Sequence, residues 1–85
     1  MYAVVDIETT GGSARTHAIT EIAIIRIEEG KEVDRFQTLI NPGRSIPRNI
    51  TTITGITDEM VADAPSFNEV AKEVFDLLSN AVFVA

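Results

Sequence analysis

The ten residues YAVVDIETTG, at positions 2–11, decide the fold of this chain. Residues 2–7 are apolar and mostly β-branched apart from Asp6, and such a short, nearly continuous run predicts a buried central strand. Gly11 and the two residues after it break the pattern and predict a polar loop that runs to His17. The chain therefore opens on an interior strand that carries an acidic residue.

Two more strands are predicted downstream, at 19–27 and 33–40, with a turn at 28–31 in which Gly30 supplies a positive φ. Three strands in such close succession indicate an antiparallel meander. Residues 41–43 end the third strand, and a loop with Pro47 leads to two short helical pieces, the second capped at Thr57.

The main helix is predicted to begin after Ser66, which forms a capping box with Glu69. Apolar residues then recur at i, i+3, i+4 and i+7 and predict one buried stripe: Phe67, Val70, Ala71, Val74, Phe75 and Leu78. A last apolar strand follows at 81–85. The order β-β-β-α-β predicts an α/β fold with a mixed sheet, in which the crossover strand returns parallel to an earlier one.

Composition limits the function classes. The 85 residues form one domain at most, and a composition of 45% hydrophobic and 24% charged residues argues against disorder. No run is long enough to span a membrane, the start does not resemble a signal peptide, and the absence of cysteine fits a cytoplasmic protein. The net charge of −6 leaves two interpretations: nucleic acid is not the ligand, or divalent metals bridge acidic residues to phosphate.

Asp6 and Glu8 are the strongest candidates for chemistry. Residues two apart on a strand project from the same face, roughly 7 Å apart along the backbone. Two such acids repel each other, and hard divalent cations such as Mg²⁺ or Mn²⁺ relieve that repulsion. Paired ions of this kind suit phosphoryl displacement. Thr9, Thr10 and Gly11 add hydroxyls and amides in reach of a phosphate or sugar. Taken alone, an Asp-x-Glu pair is more often a solvated strand end.

The string of residues 6–11 resembles the first motif of DEDD-type 3′–5′ exonucleases, the family of the proofreading epsilon subunit of bacterial DNA polymerase III. Residues 21–23, 40–42 and 53–61 resemble the family's pattern in order and spacing, so the likeness covers the whole chain. The resemblance implies a ribonuclease-H-like fold. It also implies hydrolysis of terminal phosphodiesters at a nucleic acid 3′ end, with single-stranded DNA as the expected substrate and a DNA polymerase subunit as a possible partner in replication.

The same resemblance implies roles for particular residues. Asp6 and Glu8 would bind two Mg²⁺ or Mn²⁺ ions, with Asp6 shared between them. Thr9 and Thr10 would contact the terminal nucleotide, and Ile53 and Thr54 would lie against its base or sugar.

The family's later motifs, with two further acids and a general base, do not occur in these 85 residues. The chain is therefore predicted to be the N-terminal portion, residues 1–85, of a single exonuclease domain. We expect it to be inactive alone and to self-associate through an uncovered sheet edge. The alternative hypothesis is a non-catalytic nucleic-acid-binding or scaffold module of the same fold.

Other polar residues are interpreted more simply. His17 does not match the family's catalytic histidine and is interpreted as a loop residue. Glu21 is expected to accept a hydrogen bond from a loop amide rather than to bind metal. For Arg44 and Arg48 a solvated loop is favoured over phosphate contact.

Overall fold

The computed structural model describes residues 1–11 and 18–85, and the strands in this part form one mixed sheet. They are β1 (Tyr2–Thr9), β2 (Ile19–Glu28), β3 (Lys31–Leu39) and β4 (Val82–Val84). Their order across the sheet is β3-β2-β1-β4; β1 is antiparallel to β2 and parallel to β4. The predicted meander, the parallel return and the central place of the first strand are confirmed.

Three helices connect β3 to β4: α1 (Arg48–Thr54), α2 (Asp58–Val61) and α3 (Phe67–Leu78). The Thr57 hydroxyl caps α2 by accepting from the Met60 amide, and Ser66 with Glu69 forms the predicted capping box of α3. None of the described helices is long and apolar enough to cross a membrane.

The main core lies between α3 and one face of the sheet. Its buried members are Ala3, Ile22, Ile24, Ile40 and Val74. Ala3 and Val5 of β1 face this core, and Val5 lies opposite Ile24 of β2. Because side chains alternate along a strand, Asp6 lies on the opposite face of the sheet.

Two details of the predicted burial are wrong. The first strand is not buried on both faces, since Tyr2 is 53% exposed on the side away from α3. In the predicted stripe of α3, Phe75 is 70% exposed and Phe67 is 38% exposed, whereas Leu77, which was not predicted, packs against the core. A helix turns about 100° per residue, so Phe75 lies far from the buried line through Val74, while Leu77 lies nearer to it.

A second, smaller core joins the short helices to the end of the sheet. Ile46, Ile56 and Val61 are buried together, and Leu39 of β3 and Ile50 of α1 pack against them. Leu39 lies opposite Glu21, which in turn lies opposite Glu8. Partners in register share a face, so this core meets the sheet on the face that carries the acids.

Hydrogen bonds from an arginine of β2 hold α3 against the sheet. The Arg26 Nη1 atom donates to the Leu77 carbonyl oxygen at 2.7 Å and to that of Asp76 at 3.4 Å. Both carbonyls belong to the last turn of α3, where the helix dipole is negative and favours a cation. The Asp76 carbonyl also accepts from the Ser79 amide at 3.4 Å, so the guanidinium mainly satisfies the Leu77 carbonyl at the end of the helix.

We expect Arg26→Met to lower the free energy of unfolding by about 1–2 kcal/mol, because it keeps the aliphatic stem and removes the charged hydrogen bond. Urea unfolding followed by circular dichroism measures this. Arg35→Met is the matched control. Arg35 forms an exposed ion pair with Glu32 at 2.7 Å, and its hydrogen bond lowers the pKa of Glu32. Such an exposed pair contributes little to stability. Equal losses in both variants would contradict the assigned role of Arg26.

Candidate active site

Asp6 and Glu8 lie on one face of the central strand. Asp6 is opposite Ala23 and Glu8 is opposite Glu21, so both carboxylates project away from α3. Asp6 is exposed and Glu8 is half-buried. Neither carboxylate has a hydrogen bond or ion pair with another described residue. The acids are therefore side by side, accessible and without a structural partner in the described chain.

Glu21 adds a third negative charge to this region. It stands directly across from Glu8, and like charges in that position destabilise a sheet. The Gln37 side-chain amide donates to the Glu21 carboxylate at 3.3 Å, so its partner is a side chain of β3 and not the loop amide that the sequence suggested. The resulting concentration of negative charge favours a cation at the open face.

The donor set suits a hard divalent ion. Carboxylate oxygens are the ligands that Mg²⁺ and Mn²⁺ prefer, and both oxygens of each acid are uncommitted among described contacts. Within residues 1–11 and 18–85, however, no group of three or more His, Cys, Asp or Glu side chains is arranged to hold a metal. Asp6 and Glu8 thus fit part of a metal site and need further ligands to complete it.

The threonines after the acids are engaged in local hydrogen bonds. Thr9 is the last residue of β1, not a residue beyond it, and its hydroxyl accepts from the Gly11 amide at 3.1 Å. Thr10 is only 2% exposed. Its amide donates to the Ala18 carbonyl, and its hydroxyl accepts from the Ala18 amide at 2.9 Å. Thr10 therefore fixes the backbone where the chain leaves β1.

Gly11 allows α1 to approach this point closely. Its φ is +76°, and a Cβ at this position would lie 2.7 Å from the Ile50 Cδ1 atom. Ile50 is part of the second core, so the contact seats α1 beside the end of β1. A Cβ at position 11 would force the Ile50 side chain to shift.

The two predicted contact residues on α1 differ in their surroundings. Ile53 is 78% exposed, so its side chain is available to a ligand. The Thr54 hydroxyl donates to the Ile50 carbonyl at 3.0 Å and accepts from the Ile56 amide at 3.1 Å, so it stabilises the end of α1.

Some of this arrangement has no signal in the sequence. The hydrogen bonds between Thr10 and Ala18 and the close contact between Gly11 and Ile50 join residues that no helical or strand periodicity of the sequence relates. His17 and the rest of the predicted loop at 12–17 lie outside the described residues.

Solved structures define the class of this domain. Exonuclease X in complex with 5′ overhanging duplex DNA has a TM-score of 0.77 and 34% identity, over 87% of this chain and 43% of that one. The nuclease domain of 3′hExo, a DEDDh family member bound to rAMP, has a TM-score of 0.75 and 25% identity, over 91% of this chain and 42% of that one. The chain has the ribonuclease-H-like fold of these exonucleases.

The sequence comparisons then give the family. The exonuclease family model RNase_T matches residues 3–85, and the chain belongs to this family. The 3′-5′ exonuclease DinG of Bacillus subtilis is 46% identical over 99% of the chain, and the PolC-type DNA polymerase III of Thermotoga petrophila is 42% identical over 99%. The chain spans 9% and 6% of these two relatives.

We expect Gly11→Ala to destabilise the protein more than Gly55→Ala does. Both glycines have positive φ, which costs a residue with a Cβ about 1–2 kcal/mol. A Cβ at Gly55 would meet nothing within 4 Å, whereas at Gly11 it meets Ile50 and adds about 1–3 kcal/mol of overpacking. Thermal unfolding of both variants measures the difference.

The double variant Gly11→Ala with Ile50→Val checks the cause, because valine lacks the Cδ1 atom that the new Cβ would meet. Its loss should be smaller than the sum of the two single losses. Additive losses would show that the close approach is not what makes glycine necessary.

Proposed function

We propose that this chain belongs to the active site of a 3′–5′ exonuclease that removes terminal nucleotides from single-stranded DNA. Asp6 and Glu8 are proposed to bind the two divalent ions that this reaction uses. The observation that carries the proposal is the pair itself: two carboxylates without structural partners in the described chain, on the open face of a central strand. Such a pair opposes stability, since Glu8 also faces Glu21, and a role in binding cations explains why it is there.

The carboxylates of Asp6 and Glu8 would hold the ions at the open face of β1. When bound, Mg²⁺ or Mn²⁺ supplies a nucleophilic water and neutralises charge that develops on the phosphate. The rigidity of β1 between two neighbouring strands keeps the two acids at a constant spacing. Neither acid has to break a salt bridge with a described residue before it binds.

The terminal nucleotide is proposed to lie between the end of β1 and the C-terminal end of α1. Ile53 offers an exposed apolar side chain for the base or sugar. The backbone of Thr9, Thr10 and Gly11 forms the adjoining wall, which the Thr10–Ala18 hydrogen bonds hold in place. Thr54 contributes by ending α1 just after Ile53, so that its role is one of positioning.

Residues 1–85 are proposed to form the N-terminal portion of a single exonuclease domain. The chain aligns with 43% of the exonuclease X chain, and no three-ligand metal group exists among its described residues. The later acids and the general base would come from further motifs, and the 85 residues alone would be inactive. The PolC-type DNA polymerase III relative supports a role in replication with a polymerase partner, and a cytoplasmic location is part of the proposal.

The direct test uses the longest natural protein that contains this chain. A single-stranded oligonucleotide labelled at its 5′ end should be shortened stepwise from the 3′ end with Mg²⁺ or Mn²⁺, and not with a chelator. Asp6→Ala and Glu8→Ala should each lower the rate at least about 100-fold, because loss of a ligand removes several kcal/mol of charge stabilisation. Glu73→Gln, an exposed acid on α3, is the control and should be unaffected.

Unchanged rates in the Asp6 and Glu8 variants would refute the proposal. Nucleic acid binding without hydrolysis by the unmodified protein would support a non-catalytic module instead.

The 85-residue chain is also expected to self-associate through β4. This strand is the sheet edge next to β1, and Val82 and Phe83 are 59% and 58% exposed. An uncovered apolar edge pairs readily with another chain. Light scattering should show dimers or larger species at high concentration, and Phe83→Lys should shift the chain to monomer.

Val33→Lys, on the opposite edge strand, is the matched control for this experiment. An unmodified chain that stays monomeric would overturn the expectation. An equal effect of Val33→Lys would show that the self-association does not depend specifically on β4.

A further inference from the structure

A cleft of about 250 Å³ opens directly beside the end of the acid-bearing strand. One wall is Thr10 and Gly11, and the other is the segment from Arg44 to Ile50. Thr10 lies two residues beyond Glu8, which is roughly 7 Å along an extended chain. When the terminal phosphodiester of a nucleic acid strand lies at the two acids, the neighbouring nucleotides of that strand can therefore reach this cleft.

The charge of the cleft differs from that of the whole chain. The protein carries 13 acidic and 7 basic residues, yet the described residues that line this cleft include no carboxylate. Arg44 is the one charged side chain among them, and Asn49 adds an amide with two donors. A guanidinium with an adjacent amide donor matches the oxygens of a phosphate.

A neighbouring cleft provides a contrast. It is larger, about 430 Å³, and Arg48 lines it together with Asp58 and Glu59. The two acids outnumber the cation there, so that cleft does not attract an anion. The described linings of the two clefts therefore differ in the sign of their net charge.

The segment that carries Arg44 is fixed at both ends. The Asn41 side chain accepts from the Gly43 amide at 2.8 Å, and Gly43 adopts a positive φ. The Ile46 amide donates to the Asp58 carboxylate at 2.8 Å, and the Ile46 side chain is buried in the second core. Arg44 therefore projects from a short, anchored stretch, which reduces the entropy lost when its backbone orders on binding.

We propose that this cleft binds a backbone phosphate of the nucleic acid strand upstream of the terminal nucleotide, with Arg44 as the cationic contact and Asn49 as the second donor. The inference rests on the proposed exonuclease function and adds a specificity-determining residue to it. It revises our interpretation of Arg44 as a solvated loop residue. Arg44 selects for a polymeric strand, whereas Asp6 and Glu8 act on whichever phosphodiester reaches them.

The experiment compares two substrates in the longest natural protein that contains this chain. The 4-nitrophenyl ester of thymidine 5′-phosphate has one phosphodiester and no upstream strand, whereas an oligothymidylate has both. Arg44→Gln should lower kcat/KM on the oligonucleotide about tenfold, as expected for one lost charge-assisted hydrogen bond. It should leave kcat/KM on the ester unchanged.

Salt provides a second readout. The slope of log kcat/KM against log salt concentration on the oligonucleotide should become shallower by about 0.7, the value for one phosphate contact on a single strand. Arg48→Gln is the matched control and should change neither the rate nor the slope. An Arg44→Gln effect that is absent, or equal on both substrates, would overturn the proposal.

Binding without metal separates this inference from the nuclease proposal. The same proteins are titrated with labelled oligothymidylate in a chelator, where no hydrolysis occurs. If only Arg44→Gln binds the oligonucleotide more weakly, the result supports phosphate binding in the cleft. This holds even if none of the proteins hydrolyses either substrate, because absence of hydrolysis refutes only the nuclease function. Equal binding by all three proteins would refute the cleft.

Discussion

The alternation of side chains along β1 is the constraint on which the rest of the structure depends. One set of residues, which includes Ala3 and Val5, packs against α3 and anchors the strand. The other set includes Asp6 and Glu8, which the same backbone must then present on the opposite side. A shift of one residue in the pairing with β2 would bury the acids and expose the apolar residues, so packing fixes the site as firmly as it fixes the fold.

The second core places α1 and α2 beside the acids on that face, so the sheet forms one side of the candidate site and the short helices form the other. Leu39 lies in the same cross-strand row as Glu8 and Glu21, and it joins α1 and α2 to the sheet. Gly11 then lets Ile50 approach the end of β1 closely. Hydrophobic burial at one end of the face therefore positions the helices next to the exposed acids. The acids themselves do not hold the helices in place.

Much of this could be predicted from the sequence because it is local or periodic. The capping box at Ser66, the i, i+4 spacing of Val70 and Val74, and the same-face geometry of Asp6 and Glu8 each follow from a few neighbouring residues. The exposure of Phe75 could not be predicted in this way, since the spacing does not specify which side of the apolar stripe turns toward the sheet. The hydrogen bond from Gln37 to Glu21 likewise depends on the register between two strands, which the sequence does not specify.

The parallel pairing of β1 with β4 has a consequence for the folding pathway. Tyr2 lies opposite Val82, and the Val82 amide donates to the Met1 carbonyl, so the two ends of the chain meet. The pairings among β1, β2 and β3 close short loops, whereas this one joins residues about 80 positions apart and carries a larger loop-closure entropy. We therefore expect the strand that bears the acids to gain its second neighbour after its first.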